Sequence, residues 1–341
     1  MQFAADLETV TAWLQETEPS RLDDLRGRAD RVRRERVGDA VQLRGLIEVS
    51  NHCVRHCTYC GLRATHTDLP RFRMEPSEVL SAARAARELG CGVVVLKAGE
   101  DPGLTRDGVA DLVRAVKAET GLVVTLSLGE RPVDDLAAWR EAGADRYLLR
   151  FETSNAVLYR VFHPRGAGRV DLRLQRLRQA RELGFGIGTG VMVGLPGQTW
   201  HDLARDLLLF KLLDPDLVVL GPWIPHPATP AVAFDDRGTG PERLATNDAA
   251  STLKAFALAR LLCPDANLPA TSALATVSPD TWREDGLAWG ANVVTANLTP
   301  ARYRQHYLAY PGKAGHDATP PTDLAAVREH LASLGRSLAV A

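Results

Sequence analysis

The sequence predicts a (β/α)8 barrel preceded by a helical extension, and three observations carry that prediction. Short apolar runs recur along the chain, about eight of them, each too short for a helix. A stretch of helical character follows nearly every run. The polar residues able to do chemistry gather where the apolar runs end. Near-continuous apolar strands alternating with helices describe a parallel sheet covered on both faces. Eight such units close into a barrel whose active site lies at the C-terminal ends of the strands. An open, doubly wound sheet is the other reading.

The elements follow in order. The first 40 residues, rich in Leu, Arg, Glu and Asp, read as helices. Asp6-Leu7-Glu8-Thr9-Val10 starts one, Glu18-Pro19-Ser20 breaks it, and Ser20 is placed to cap the next. A strand over 43–50 (LRGLIEVS) leads into a cysteine-rich loop, and Pro76-Ser77-Glu78 opens a helix that runs to Gly90. The strand over 92–98 (GVVVLKA) ends at Gly99-Glu100-Asp101-Pro102, and a helix covers 109–120. Strand 122–128 (LVVTLSL) precedes a helix over 133–141. Strand 146–151 (RYLLRF) precedes a helix over 170–183 that Gly184 ends. A Gly-rich strand over 186–193 is followed by a helix over 202–213. Strand 217–224 ends at Pro225-His226-Pro227 and is followed by a helix over 247–262. Strand 268–273, a helix near 280–289 and strand 291–296 complete the pattern. The expected organisation is a helical extension over 1–40, the barrel over 41–315 and a C-terminal helix over 316–341. The Asp/Gly-rich stretch 235–241 reads as a surface loop.

Composition narrows the function classes. Hydrophobic residues make up 45% and charged residues 24% of 341, as in a soluble globular protein. A formal net charge of -1 points to neither nucleic acid nor an anionic membrane as partner. The N-terminus lacks a basic segment followed by an apolar core, and no apolar run reaches the length of a membrane span. Five cysteines, sparse and odd in number, do not describe a disulfide scaffold. The expected location is therefore the cytoplasm.

Three of those cysteines, Cys53, Cys57 and Cys60, fall in the run Asn51-His52-Cys53-Val54-Arg55-His56-Cys57-Thr58-Tyr59-Cys60-Gly61. The spacing is C-x3-C-x2-C, with an aromatic before the third cysteine. Thiolates are soft donors that suit iron–sulfur clusters, and a complete cubane normally takes four of them. Three leave one iron open to a small molecule. A structural zinc site would need a fourth ligand such as His52 or His56, and His56 adjoins Cys57 too closely to chelate beside it. Cys91 and Cys263, in apolar contexts, read as core residues.

The cysteine spacing resembles that of the radical S-adenosylmethionine (SAM) enzymes, and longer stretches resemble the HydE family within them. These are IEVSNHCVRHCTYCGLR, GEDPG, VTLSLGE, GADRYLLRFET, MVGLPGQT, GPWIPHPATP, LPATSAL, GANVV and YRQHYLAYPGK, spread over about 44–313. Biotin synthase and methylornithine synthase are related families with the same type of barrel. The resemblance implies that Cys53, Cys57 and Cys60 ligate a [4Fe–4S] cluster whose open iron binds SAM. It implies that Tyr59 contacts the adenine and that the Gly99-Glu100-Asp101 segment receives the methionine amino group. Glu152 and Arg173 match polar residues of the SAM site, where a guanidinium fork suits a carboxylate. Ser127 and Arg150, at strand ends, join that set. Arg44, Thr271 and Ser272 match positions facing a small ligand deep in the barrel, and Tyr303 and Tyr307 fall where the barrel mouth would be lined. An electron donor such as flavodoxin or ferredoxin and a small-molecule substrate are the implied partners.

Plainer readings stand beside these. Glu100 and Asp101 could cap the following helix. Arg150 and Glu152, two apart on a strand, share a face and could form a surface pair. Arg173 lies among Arg169, Arg176 and Arg178, a run that a solvated helix face explains. His226, between two prolines, is either a turn residue or a substrate contact, and Met192 and Trp223 read as core or cavity wall.

The chain also departs from the family. HydE proteins typically carry Gln-Ser before Gly-Glu-Asp, where Lys97-Ala98 stands here, and His where Phe151 stands. Many carry a second, C-terminal cysteine cluster, and no cysteine follows Cys263. Lys97 and Phe151 are expected to point into the cavity, the first adding a cation that favours an anionic substrate and the second removing an imidazole. The expected activity is reductive SAM cleavage to a 5′-deoxyadenosyl radical that attacks a small ligand in the barrel. An enzyme modifying a free amino acid, similar to methylornithine synthase, is one alternative; a non-catalytic metal or cluster carrier is another.

Overall fold

The computed structural model describes residues 6–164, 169–230, 240, 243–313 and 324–339. Two helices lead, α1 (Leu7–Gln15) and α2 (Pro19–Val37). Asp6 caps the first by accepting from Thr9 N at 2.7 Å. Ser20 does not cap the second. Pro19 occupies its first turn, where the missing N–H costs nothing, so the cap falls on Glu18, whose carboxylate accepts from Ser20 N at 3.3 Å. Both helices pack on the outer helical layer of the barrel, with Val10, Leu14, Leu25 and Ala29 completely buried.

The barrel begins with β1 (Ala40–Ser50), followed by α3 (Pro76–Glu88) and β2 (Val93–Ala98). Next come α4 (Arg106–Thr120), β3 (Val123–Ser127), α5 (Val133–Glu141) and β4 (Arg146–Leu148). After α6 (Ala156–Phe162) and α7 (Val170–Glu182) the chain runs through β5 (Gly186–Val193), α8 (Trp200–Leu213) and β6 (Leu217–Pro222). The remaining elements are α9 (Ala249–Leu262), α10 (Ser272–Val277), α11 (Trp282–Ala288), β7 (Val293–Asn297), α12 (Ala301–Arg304), α13 (Leu324–Ser333) and β8 (Ser337–Leu338). The proposed loop over 235–241 lies outside the described residues apart from position 240, as does the stretch 316–323 of the proposed C-terminal helix.

All the barrel pairings are parallel. The order runs β6-β5-β4-β3-β2-β1-β7, and β8 adds to the start of β1. The gap between β6 and β7 is closed by the stretch after α9. Leu217 bridges Asn267, and Pro269 bridges Val293. Val218 N donates to Asn267 O and Asn292 N to Leu268 O, both at 2.9 Å. The strand expected over 268–273 is thus a short eighth stave. It stops because Thr271 caps α10, accepting from Leu274 N. The strand expected over 146–151 is also shorter in regular form. Phe151 N and Glu152 N share the Gly190 carbonyl, a bulge, and Glu152 takes φ 66°.

The main core fills the layer between barrel and helices. Ile47, Val94, Val124, Val191 and Val218 point outward into it against residues such as Val113, Leu136, Leu207 and Phe256. Burying each such side chain contributes about 2 kcal/mol. Alternation along β1 turns Gln42, Arg44, Leu46 and Glu48 to the inside, so the barrel interior is polar in part. Among the described residues no helix is long and apolar enough to cross a membrane.

Candidate active site

The loop between β1 and α3 carries the three cysteines and has little regular structure of its own, so its carbonyls must find other donors. Arg71 supplies them. Its Nη1 donates to the Asn51 and Leu62 carbonyls at 2.6 and 2.8 Å, and its Nη2 to those of Arg63 and His66 at 2.8 and 3.1 Å. Asn51 ties the loop ends together, donating to the Pro70 and His306 carbonyls and accepting from Phe72 N. The loop lies so close to the end of β2 that a Cβ on Gly99 would sit 2.3 Å from the His52 carbonyl, which only glycine avoids.

Cys53, Cys57 and Cys60 line one side of a cavity of about 250 Å³ at the C-terminal ends of the strands. Burial raises the Cys53 thiol and pushes Cys57 up to about 11 and Cys60 up to about 12. Bare thiolates are thus disfavoured there unless a metal supplies positive charge. Arg173 faces Cys57, and Lys97 faces Cys60, each favouring the thiolate. Among the described residues no three His, Cys, Asp or Glu side chains converge closely enough to hold a single metal ion. Three half-buried thiols spread over one wall suit a cluster wider than one ion, and the donor set fits iron–sulfur chemistry.

The wall beside the cysteines is a chain of charged pairs. Glu100 Oε1 lies 2.7 Å from Arg55 Nη2, and its Oε2 accepts from Glu130 N at 3.0 Å. Glu130 Oε1 takes both Nε and Nη2 of Arg173, at 2.9 and 2.7 Å. Arg173 Nη1 donates to the Arg150 carbonyl at 3.1 Å. Arg173 is 7% exposed and turned into this wall, unlike Arg169, which pairs with Asp171 at the surface. Arg150 Nη2 lies 2.9 Å from Glu152 Oε2, an alignment too poor for a hydrogen bond, and donates to the Val191 carbonyl at 2.8 Å. Behind the cysteine loop a small apolar cluster of Leu158, Phe162, Met192 and Leu195 packs with Tyr59 and Trp223. Met192, Tyr59 and Trp223 face the cavity.

Lys97 and Tyr307 also line the cavity. Strand register puts Lys97 between Glu48 of β1 and Ser127 of β3. Glu48 is taken by Lys313, with which it forms a buried ion pair, and by Asn297 Nδ2 at 3.1 Å. The Tyr307 ring has Lys97 Nζ 5.6 Å and Lys313 Nζ 4.8 Å from its centroid. Burial, together with the Lys313 charge, pushes the Lys97 ammonium down to about 8.

The structure brings most of the expected site residues to one cavity: the three cysteines, Tyr59, Lys97, Gly99, Glu100, Ser127, Arg150, Glu152, Arg173 and Tyr307. Others lie elsewhere. Asp101 is completely buried behind the loop, held by Ser50 Oγ, Gly103 N and both Arg73 nitrogens. Phe151 does not enter the cavity. Its neighbours Arg150 and Glu152 face inward, so its ring turns out to meet Phe210 of α8 at 5.6 Å. Tyr303 stacks on Phe72 at 4.8 Å and donates to Glu78, away from the cavity. His226 packs against Gly61, accepting at Nδ1 from Ala228 N, in the manner of a turn residue. Thr271 caps α10 and Ser272 bonds Tyr310, so both reach the cavity only through neighbours, Ala273 and Tyr310. Arg44 is buried deeper in the barrel, beside Gln42 and facing the charge of Arg146. Arg55, Glu130, His163, Lys313 and Tyr310 were given no role by the sequence. All but His163 stand in the quoted stretches, and Arg55 and Glu130 also lie at strand ends, which was the available signal.

Comparison with known proteins places this site in context. The sequence pattern of the Radical SAM superfamily matches residues 47–210. The chain is 48% identical over 285 residues to the [FeFe] hydrogenase maturase subunit HydE of Thermotoga maritima, covering 84% of this chain and 78% of that one. It is 30% identical to 3-methylornithine synthase of Methanosarcina acetivorans, covering 79% of this chain and 73% of that one. The crystal structure of methylornithine synthase (PylB) superposes with a TM-score of 0.83 at 25% identity, covering 99% of this chain and 95% of that one.

Proposed function

The chain belongs to the radical SAM superfamily and to the HydE family within it, and from that premise we propose that it serves [FeFe]-hydrogenase maturation by radical attack on a small ligand held in the barrel. A [4Fe–4S] cluster with an open iron supplies the reductive cleavage of SAM to methionine and a 5′-deoxyadenosyl radical. The observation that carries the reading is the meeting of the three thiols with the charged wall in one cavity.

Cys53, Cys57 and Cys60 are the cluster ligands in this reading. Glu130 and the Arg150 carbonyl hold the Arg173 guanidinium at the cavity wall, where it meets the methionine carboxylate. Glu152, Glu100 and the Gly99 backbone take the amino group, with Ser127 and Arg150 beside them. Tyr59, backed by Phe162, Met192 and Trp223, offers an apolar surface for the adenine. Tyr307 and Tyr310 line the chamber beside the cysteines. A chamber of about 250 Å³ suits a small molecule. A flavodoxin- or ferredoxin-type donor delivers the electron, and the protein works in the cytoplasm.

A second reading, modification of a free amino acid, is supported by Lys97, which has no ion-pair partner among the described residues and would hold a carboxylate. Hydrogenase genes beside this one in the genome would favour maturation; a biosynthetic cluster without them would favour the second reading. The decisive test is anaerobic: reconstitute the cluster, reduce with dithionite, add SAM and assay 5′-deoxyadenosine. Product is expected. An intact cluster without product would leave only a carrier role.

A further inference from the structure

We propose that Lys97 is an anion subsite of the chamber and that it reads a carboxylate on the substrate. The inference rests on the reading above only in taking this cavity as the substrate chamber. Lys97 lines the cavity and has no ion-pair or hydrogen-bond partner among the described residues. Lys97 is half-buried and opens onto the cavity, so whatever occupies the cavity meets an ammonium that no side chain among the described residues neutralises.

The groups around it do not supply one. Glu48, the carboxylate nearest in register, is already engaged by Lys313 and Asn297. Lys313 and Arg150 face Lys97 with charge of the same sign, Tyr307 presents a ring, Ser127 a hydroxyl and Cys60 a thiol assigned to the cluster. Deeper in the barrel, Arg44 and Arg146 add further positive charge. Among the described residues, Arg44 Nε, Arg146 Nη1 and Arg150 Nε are buried N–H groups without a hydrogen-bond partner. Lys313 is paired with Glu48 and Arg150 with Glu152, so Lys97, Arg44 and Arg146 are the interior cations left without an ion pair among the described residues, with spare donors beside them. A neutral or cationic ligand would leave that surplus standing, whereas a carboxylate would offset it.

Bromide is a probe that needs no turnover. Crystals of the cluster-loaded protein soaked in sodium bromide are expected to show an anomalous peak within hydrogen-bond reach of Lys97 Nζ. Lys97→Gln and Lys97→Met are expected to lose it while binding SAM within twofold of the parent by equilibrium dialysis. L-serine is expected to displace the bromide, and L-serinamide at the same concentration to leave it. No peak at Lys97, or one persisting in both variants, overturns the proposal. So does bromide that serine does not displace, an adventitious ion only, or bromide that serinamide displaces equally. A tenfold loss of SAM affinity in Lys97→Gln would assign the ammonium to SAM instead. Absence of 5′-deoxyadenosine would sink the enzyme reading yet leave the bromide result standing, so the two failures are distinguishable.

Discussion

The Tyr59 hydroxyl lies 3.0 Å from His163 Nε2, joining the cysteine loop to the end of α6. The His163 Nδ1 is 3.1 Å from the Tyr159 carbonyl, which can only accept, so Nδ1 carries the proton and Nε2 accepts from Tyr59. Burial, with the Arg173 charge nearby, holds His163 well below its usual pKa and keeps it neutral. Its ring stacks on Tyr159 at 4.0 Å. His163 thus positions the aromatic assigned to the adenine. Replacing it with Phe keeps the ring, strands the Tyr59 hydroxyl at a loss of about 1 kcal/mol, and removes the 3.4 Å contact from Arg173 Nη1. The expected outcome is a roughly fivefold weaker SAM affinity at unchanged iron content, with His163→Gln recovering part of it. Unchanged SAM binding in His163→Phe would show that neither Tyr59 nor Arg173 depends on the imidazole.

Arg71 makes a second prediction. A planar fork reaches the carbonyls of Asn51, Leu62, Arg63 and His66 together, and a lysine has no such geometry. Arg71→Lys keeps the charge and leaves at least two carbonyls short of a donor, at about 1 kcal/mol or more each. Iron bound after reconstitution is expected to fall by half or more, and the melting temperature of the cluster-free protein to drop. Full iron loading in Arg71→Lys would show that the loop is shaped by other contacts.

Asp101 is expected to behave as a structural residue. Burial alone would raise its pKa, but the bidentate Arg73 contact and the Ser50 hydroxyl outweigh it and hold the carboxyl below its usual value. A depressed folded pKa contributes stability that is present above the unfolded value of about 3.9 and is lost as pH falls through the folded one. Asp101→Asn should cost about 2 kcal/mol at neutral pH, since Arg73 is partly exposed and screened. Its penalty should shrink below about pH 4. Denaturant titrations at neutral and acid pH read both effects, and SAM affinity should change little. A selective loss of SAM binding would return Asp101 to the cofactor site.

These residues show what could be read in the chain and what could not. The staves were legible because each is a compact apolar run, and even the stave at 267–269, with only bridge-type pairing, kept that signature. The helix α6 was missed because its 7 residues are too few to show a period. The cysteines were legible because their spacing is local. Glu130 and Arg173 are 43 positions apart, and no local pattern reports that a chain of this length will bring them together. Phe151 is different: Arg150 and Glu152 were already read as sharing a face, and the same alternation puts the residue between them on the other face. Its outward ring was therefore available to sequence reasoning and was overridden by the comparison with the family's imidazole.

Asp206 yields the last prediction. From α8 its Oδ1 accepts Ser154 N at 2.6 Å and Ser154 Oγ at 2.5 Å, just past the bulge that sets Glu152 at φ 66°. Its Oδ2 accepts from Gln198 Nε2 at 3.1 Å, and Gln198 Oε1 accepts from Gly194 N and Leu195 N, so one carboxyl braces two strand ends. Burial pushes this carboxyl up to about 7. The folded state therefore holds its proton more tightly than the unfolded chain, whose aspartate titrates near 4. Between those values the native protein binds more protons, so this group's stabilisation falls as pH rises and levels off above about 7. His163 works in the opposite direction, because its depressed pKa makes acid destabilising. The comparison that isolates Asp206 is the difference in slope between the parent and Asp206→Asn, read as urea midpoints from about pH 5 to 8. The parent should lose stability relative to the variant across that range, whatever the offset between them. Parallel curves would mean that the carboxyl is ionised throughout and that the Ser154 bonds outweigh its burial.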